Sequence, residues 1–253
     1  RPWVWFLTRS ADCRVFQKLK VPEIIDQILG KYTGMTKKVL SGDYQPWEYC
    51  VQYRETDFNF VSRLMEQEGM FYFFEHEKSD HRLVLVDMHG PTTAVKHQIA
   101  YVPGERAGRM DKECIRDWTM AHEVQPGAYA IKDYDFKKPT APQLSVVKRP
   151  YKHAQGALEI FDYPGECDTV GEGDAYVRIR LDELHAQYET VRAACNVRAL
   201  AVGDVFELDN PEQAGAAADA KYLVTEAAYD IGAGLEFEAQ GPHFGCTFAC
   251  IRS

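Results

Sequence analysis

Three residues near the C-terminal end have types and spacing that suggest a metal site: His243, Cys246 and Cys250. Histidine nitrogen and cysteine sulfur are common zinc ligands. The group supplies only three ligands, however, whereas a structural zinc site usually has four, and no second cluster of matching spacing follows. We therefore interpret these residues as ordinary core or tail residues, and we predict no metal and no cofactor.

Two pairs of carboxylates have the close spacing of an acid and base couple in a hydrolase: Glu66 with Glu68, and Asp133 with Asp135. The first pair falls on the polar face of a predicted helix, and the second on one face of a predicted alternating strand. A solvated surface explains both pairs better than catalysis does, because carboxylates are mostly exposed in folded proteins.

Two weaker patterns point to ligands. His76 and His81 flank a predicted hairpin turn and could form a metal site or a pH switch, although exposed histidines near turns are common. Gly171 and Gly173 precede a predicted helix, but the third glycine and the buried strand of a phosphate-binding turn are missing. No GxSxG, P-loop, HExxH or CxxC motif occurs. We predict that the chain is not an enzyme and has no catalytic or cofactor-binding residues.

Composition excludes two classes of partner. Lysine and arginine number 29 against 38 aspartate and glutamate residues, which gives a formal net charge of −9. An acidic chain without a basic stripe is poorly suited to a phosphate backbone, so no nucleic-acid partner is expected. No apolar run reaches the roughly 18 residues of a transmembrane helix, so no stable membrane insertion is expected either.

The cysteines and the start of the chain indicate its setting. The seven cysteines are odd in number and scattered in spacing, which favours reduced thiols in a cytoplasmic setting. The chain begins at Arg1 without a methionine or a signal-peptide pattern. Its first residues, Trp3–Leu7, are predicted to form an apolar strand. We therefore expect a fragment of a longer protein, truncated at its N-terminus.

The elements that must position these residues are organised around the stretch Tyr49–Glu77. A helix is predicted near 56–68, with Thr56 as its N-cap and Asp57 in its first turn, where the helix dipole favours a negative charge. At helical spacing, one apolar arc is formed by Phe58, Phe60, Val61, Leu64 and Met65. Asp57 alone breaks the division into apolar and polar arcs.

A hairpin follows this helix. Gly69 is predicted to end the helix in a left-handed conformation, and Met70–Phe74 then forms a strand that is apolar on both faces. Such a strand is buried on both sides, either within the subunit or against another one. Leu83–Val86 is predicted to return as its partner.

The rest of the chain predicts a mainly β fold with inserted helices. Further helices are expected near 22–30 and 172–187. Strands at short intervals with glycine turns favour barrel-like sheets over a parallel α/β fold, and Lys221–Tyr229 is predicted to pair with Leu235–Gln240. The glycine- and proline-containing segment 89–108 is interpreted as a linker. Two domains are therefore predicted, spanning residues 1–110 and 111–253.

Aromatic residues are concentrated in the predicted apolar strands, at Trp3, Trp5 and Phe71–Phe74. They form either a hydrophobic core or part of a subunit interface, where aromatic residues are enriched. The pattern alone leaves both interpretations open.

Segments along nearly the whole chain resemble one family. They read RPWVWFLTRSADCRVFQ, VPEIIDQIL, SGDYQPWEYCVQY, RETDFNFVSRLMEQEGMFYFFEHE, PGAYAIKDYDFKKP, EIFDYPGE and, more loosely, RALAVGDVFELDNP and KYLVTEAAYD. In this order they resemble the VgrG proteins, also called Rhs-element Vgr proteins, which are the spike proteins of the type VI secretion system. These are related to the hub proteins of contractile phage tails.

The resemblance implies a fold and an assembly. It implies two barrel-like β domains of the phage tail hub type per chain, with helices inserted. Three chains would form a homotrimer, and their six similar domains a pseudo-sixfold ring. The resemblance also strengthens the interface interpretation of the aromatic strands.

The resemblance further implies a structural function: a hub that joins the secreted tube to a piercing needle and helps to deliver effectors. The partners would be a hexameric tube protein and effector or adaptor proteins. The chain would reside in the bacterial cytoplasm before firing and then leave by a route that needs no signal peptide. The alternatives are a phage or prophage tail hub or baseplate protein, and a non-enzymatic ligand-binding β module.

Overall fold

A computed structural model describes residues 1–32, 34–87, 95–104, 112–134, 136, 143–167, 169–232 and 243–253. The chain divides into two compact units, Arg1–Thr92 and Thr93–Ser253. Both contain more strands than helices, as the sequence predicts. The first unit contains, in chain order, a 3-10 helix at Trp3–Arg9, β1 (Ala11–Phe16), α1 (Val21–Leu29), a 3-10 turn at Gly30–Tyr32, β2 (Thr36–Val39), β3 (Cys50–Thr56), α2 (Asp57–Gln67), β4 (Met70–His76) and β5 (His81–Asp87).

The helix α2 forms where the sequence predicts it. The Thr56 hydroxyl oxygen accepts a hydrogen bond from the backbone N–H of Asn59 at 3.1 Å, which caps the first turn. Phe60 and Leu64 are fully buried. Gly69 follows with a φ of 66°, the left-handed conformation that glycine adopts at little cost. The predicted cap, apolar arc and stop of this helix are confirmed.

The first residues correct one prediction. Trp3–Leu7 is not a strand but part of the 3-10 helix Trp3–Arg9. Its two buried side chains are Trp3 and Leu7. A continuous run of five apolar residues has no periodicity that separates a strand from a helix, so the sequence alone favoured the wrong element.

The first unit contains two small sheets. β2, β5 and β4 form a three-stranded sheet in the order β2-β5-β4, and β1 pairs with β3 as an antiparallel ribbon. Residues Leu83–Asp87 of the central strand β5 are buried on both faces. β4 lies at the sheet edge, where Met70 is buried, Phe71–Glu75 are half-buried and His76 is exposed. The predicted apolar strand Met70–Phe74 is therefore only partly buried within the described part of this chain.

The second unit is dominated by one sheet. It contains β6 (Val95–Ile99), β7 (Ile115–His122), β8 (Ala128–Asp133), β9 (Gln143–Lys148), β10 (Glu159–Asp162), α3 (Val170–His185), β11 (Glu189–Cys195), β12 (Val205–Leu208), a 3-10 turn at Pro211–Ala214, β13 (Lys221–Gly232) and β14 (His243–Arg252). Six strands lie side by side in the order β6-β12-β13-β14-β11-β7. A separate sheet has the order β10-β8-β9.

The division between the units lies earlier in the chain than residue 110, where the sequence placed it. β6 pairs in parallel with β12, more than 100 residues away in sequence, and so belongs to the second unit. A pairing between strands so far apart in sequence leaves no local signal. The glycines and prolines of residues 89–108 are a local signal, and the predicted boundary was based on them. That each unit is a hub-like β domain stays a prediction.

Helix α3 packs on the small sheet β10-β8-β9, and this packing explains Gly173. A side chain at Gly173 would place its Cβ 2.6 Å from the Ser145 Oγ of β9, so glycine permits the close approach of helix and sheet. Thr169 and Glu172 form a reciprocal capping box at the helix start. Gly173 thus serves helix packing, whereas Gly171 is exposed in the first turn of the helix.

The C-terminal strand pairing differs in part from its prediction. β13 runs antiparallel to β14 over Tyr222–Gly232 and His243–Arg252. The predicted partner, Leu235–Gln240, lies outside the described residues.

Candidate interaction surfaces

The two tryptophans at the start of the first unit differ in burial. Trp3 is 4% exposed and stacks on Tyr32, with ring centroids 4.4 Å apart. Trp5 is half-buried, and the guanidinium groups of Arg1 and Arg9 lie 5.3 and 4.7 Å from its ring centroid. The core interpretation therefore holds for Trp3, while Trp5 lies at the surface between two cations.

The strand β4 offers an edge rather than an uncovered face. Tyr72 and Phe74 pack against the core of the first unit. Phe71 and Phe73 pair across the sheet with Val86 and Val84 and are also half-buried. Among the described strands, only β5 pairs with β4, so the other edge of β4 has no strand partner there. Whether this edge takes part in a subunit interface stays a prediction.

Asp57 is the centre of a buried polar network that the sequence analysis missed. It is 3% exposed. Its carboxylate accepts hydrogen bonds from Ser10 Oγ at 2.8 Å, Gln52 Nε2 at 2.9 Å and an Arg14 guanidinium nitrogen at 3.0 Å. Burial raises the pKa of Asp57, but these donors and the charge of Arg14 outweigh it and hold the pKa below its usual range. The network joins β1, β3 and α2.

A second buried carboxylate, Asp87, fixes the connection between β2 and β3. It is 2% exposed and accepts hydrogen bonds from the Ser41 and Gly42 backbone N–H groups at 2.6 and 2.7 Å and from the Tyr44 hydroxyl at 2.8 Å. Burial and this hydrogen bond raise the pKa of Tyr44 far above its ordinary value, so the phenol stays a donor. Nothing here resembles a reactive centre.

A third carboxylate, Asp204, anchors β6 in the second unit. It is 5% exposed and contacts Lys96 Nζ at 2.6 Å, His97 Nε2 at 3.3 Å and the Ala201 backbone N–H at 2.9 Å. Each of the three buried aspartates thus connects segments that are distant in sequence. The hydrogen bonds and ion pairs described here therefore give these aspartates a structural role.

The three residues whose types and spacing suggested a metal site do not assemble into one. Cys246 and Cys250 are buried, whereas His243 is exposed and lies 3.3 Å from an Asp230 carboxylate oxygen. Positions 243 and 246 of a strand point to opposite faces, so the three side chains do not converge. Among the described residues, no group of three or more histidine, cysteine or acidic side chains could hold a metal ion.

The remaining candidates have local roles. His81 accepts a hydrogen bond at Nε2 from the Trp3 backbone N–H at 3.0 Å, and its ring lies 6.1 Å from that of His76. Asp133 accepts hydrogen bonds from the Tyr134 and Cys167 backbone N–H groups. Its predicted partner, Asp135, lies outside the described residues. Glu66 is exposed and Glu68 half-buried at the end of α2.

The cysteines are free thiols of very unequal accessibility. Cys13 is exposed, and the other six are buried. Burial raises the pKa of Cys195 to about 12, and it also raises the pKa values of Cys50, Cys246 and Cys250. Buried thiols with a raised pKa are poor nucleophiles. This arrangement favours the predicted reduced thiols.

We expect one thiol to dominate the reaction of the native chain with a disulfide reagent such as DTNB. Cys13→Ser should remove the fast phase, because only the Cys13 thiol is exposed. Reaction in urea, where all thiols are accessible, provides the control for total thiol content. A fast phase that survives in Cys13→Ser would contradict the burial of the other six.

Comparison with known proteins identifies relatives along the whole chain. The family model of the phage tail baseplate hub (GPD) matches residues 1–235. The type VI secretion system spike protein VgrG1c of Pseudomonas aeruginosa is 41% identical over 255 aligned residues, which cover 95% of this chain and 34% of VgrG1c. The actin cross-linking toxin VgrG1 of Vibrio cholerae is 33% identical over 80% of this chain and 18% of its own length. The chain thus spans about a third of VgrG1c and a smaller part of the toxin.

Solved structures agree on the fold. The c3393 protein of Escherichia coli, described as a type VI secretion component similar to the T4 tail proteins gp27 and gp5, superposes with a TM-score of 0.65 at 17% identity. The superposition covers all of this chain and 54% of c3393. Within the described residues, none of the helices is both long enough and apolar enough to cross a membrane.

Proposed function

The chain belongs to the phage tail baseplate hub family, and from this membership we propose that it is the hub region of a type VI secretion spike. The observation that carries the proposal is the 41% identity to VgrG1c across 95% of the chain. Identity at that level along both units favours a shared role for the region as a whole over a shared fold alone. The resemblance of the sequence segments to the VgrG family is thereby confirmed.

The proposed mechanism is mechanical. Three chains form a ring that joins a hexameric tube to the piercing needle, and the ring also helps to deliver effectors. No step requires covalent chemistry from this region, so we propose that it is not an enzyme, whatever activity its longer relatives carry elsewhere.

The proposed location follows from the same role. A hub loaded onto a tube in the cytoplasm leaves the cell when the tube is driven outward, without a signal peptide. A phage or prophage tail hub is the second candidate, and it is favoured by the family model itself. Both candidates have the same ring and the same tube contact. A ligand-binding β module has less support, because the 41% identity over 95% of the chain is to a secretion spike protein.

Light scattering tests the ring. We expect the absolute mass of the chain to approach three times 28.8 kDa as its concentration rises, because a ring of three closes with two interfaces per chain. The control is the same measurement in salt of rising concentration, which should change the mass little if the interfaces are largely apolar. A monomer at every concentration would contradict the proposal that this region forms the ring.

A further inference from the structure

Two of the buried cysteines lie side by side in the six-stranded sheet of the second unit. Cys195 of β11 and Cys246 of β14 are directly opposite each other in the antiparallel register. Opposite residues point to the same face of a sheet, and their Cα atoms are about 4.5–5.5 Å apart. A disulfide spans Cα distances of about 4.4–6.8 Å. The backbone therefore already holds this pair at a separation that a disulfide can bridge.

The two thiols also contact each other. Burial raises the pKa of both, and a hydrogen bond between them adds to the rise at Cys195 and opposes it at Cys246. Cys195 is thus the donor of this hydrogen bond, and the Cys246 thiol in turn donates to the Thr247 carbonyl oxygen at 3.8 Å. Cys246 is therefore the more readily ionised thiol and the nucleophile of the pair.

The pair is enclosed, but it lies at a weak point of the sheet. Cys195 is 4% and Cys246 2% exposed. β11 ends at Cys195, and its register with β7 shifts between Ala194 and Cys195. A shift of this kind disrupts the ladder locally, and strand ends open more readily than strand centres. A reagent as small as hydrogen peroxide can therefore reach the thiols through local opening.

The connection between β11 and β12 lies against the pair. The backbone N–H of Val197 in this connection donates a hydrogen bond to the Cys195 sulfur. Leu200 of the same connection is buried in one hydrophobic cluster with both cysteines. The hydroxyl of Tyr229, which is opposite Cys246 in β13, donates a hydrogen bond to the Leu200 carbonyl oxygen at 2.9 Å. This hydrogen bond ties the connection to the sheet beside the two thiols.

We propose that Cys195 and Cys246 form an oxidation site, at which a peroxide converts the two thiols into a disulfide that links β11 to β14. The Cys246 thiolate attacks one oxygen of hydrogen peroxide, so that an S–O bond forms, the O–O bond breaks and hydroxide leaves. The hydroxide takes up the proton that Cys246 lost and becomes water.

The second step closes the disulfide. The Cys195 sulfur attacks the Cys246 sulfur, so that the S–S bond forms and the S–O bond breaks. The oxygen leaves as water and carries the Cys195 proton with it. In total, two thiols are oxidised to one disulfide, and one peroxide is reduced to two molecules of water.

The proposed delivery gives this site a use. Thiols are kept reduced in the cytoplasm, whereas disulfides persist in the periplasm and outside the cell. The pair would be two thiols during assembly and a cross-link after release, when the cross-link restricts the unfolded chain and stabilises the sheet. This use rests on the proposed function, whereas formation of the disulfide does not.

Oxidation of the Cys13→Ser chain tests the site, because this background lacks the exposed thiol and its intermolecular disulfides. After peroxide treatment, non-reducing peptide mapping should show a peptide pair joined through Cys195 and Cys246, about 2 Da lighter than its two reduced peptides together. Cys195→Ala should abolish the link and leave Cys246 as a sulfenic acid that dimedone traps. Cys250→Ala, at another buried thiol of β14, is the matched control and should keep the link.

The outcome that would overturn the proposal is equally specific. It is the absence of a Cys195–Cys246 link at every peroxide concentration that leaves the chain folded, or a link between other cysteines in its place. None of these measurements depends on assembly. Failure of the link would therefore leave the proposed hub intact, and a chain that forms no ring would still reveal whether the link forms.

A conservative substitution tests the role of the connection. Tyr229→Phe removes the hydrogen bond to Leu200 and should speed formation of the disulfide about two- to tenfold, because local opening then breaks one hydrogen bond fewer. Tyr134→Phe, at a tyrosine that is 59% exposed, should leave the rate unchanged. Equal rates in Tyr229→Phe and the unsubstituted chain would overturn control of the site by this hydrogen bond.

Discussion

Replacing Phe60 with alanine is expected to lower the free energy of unfolding of the first unit by about 3–5 kcal/mol. Phe60 is fully buried in α2 and stacks on Phe16 at a centroid distance of 5.5 Å. The Arg63 guanidinium lies 4.9 Å from its ring centroid and would lose that contact. Removal of the ring leaves a cavity between α2 and β1 that the surrounding backbone cannot fill.

Urea denaturation followed by tryptophan fluorescence measures this loss, because three of the four tryptophans, Trp3, Trp5 and Trp47, lie in the first unit. Phe6→Ala is the matched control. Phe6 is 54% exposed, so the same substitution there should cost less than about 1 kcal/mol. Equal losses in the two variants would show that Phe60 is not the core residue described here.

The importance of Phe60 can be predicted from sequence, because it depends on a local pattern. Five apolar residues at helical spacing, a threonine cap and a glycine stop all act within fifteen residues of chain, and each agrees with the others. The structure confirms the helix between Thr56 and Gly69. The helices near 22–30 and 172–187 are found within two residues of their predicted bounds for the same reason.

Features that depend on distant partners could not be predicted in this way. Because β6 pairs in parallel with β12, the chain divides into its two units before Val95. No residue near that point signals this division in the sequence. Trp3–Leu7 shows the other limit. Its apolar run fits either a strand or a helix, and the structure has a 3-10 helix in which Trp3 stacks on Tyr32.

The functional surfaces are only partly visible in the sequence. Alternation along β8 and β9 shows that each strand has two faces, but it does not show which face α3 covers. Asp87 directly follows the apolar run Leu83–Val86, and Asp204 follows Gly203. A charged residue just after a strand or beside a turn glycine is usually exposed, so the sequence does not indicate that either carboxylate is buried. Asp57 gave the one available signal, because it was the single charged residue that broke the division between the apolar and polar arcs of its helix.

Replacing Asp57 with alanine is expected to lower the free energy of unfolding of the first unit by about 2–4 kcal/mol. The substitution removes the acceptor of three hydrogen bonds and leaves the Gln52 amide and the Arg14 guanidinium without their shared partner. Gln52 is fully buried, so its amide cannot turn to solvent. Urea denaturation at neutral pH measures the loss. Asp12→Ala is the matched control, because Asp12 also contacts Arg14, at 2.9 Å, but its side chain is 49% exposed. It should cost less than about 1 kcal/mol.

The same carboxylate should make the first unit sensitive to acid. The folded-state pKa of Asp57 is lowered, so its contribution is fully present above the unfolded value of about 4. That contribution is lost as pH falls through the lower folded-state pKa, because the native state must then bind a proton that disrupts the network. The stability difference between the wild type and Asp57→Ala should therefore shrink below about pH 4. A difference that stays constant through this range would show that the lost stability comes from packing alone and that the charge of Asp57 contributes nothing.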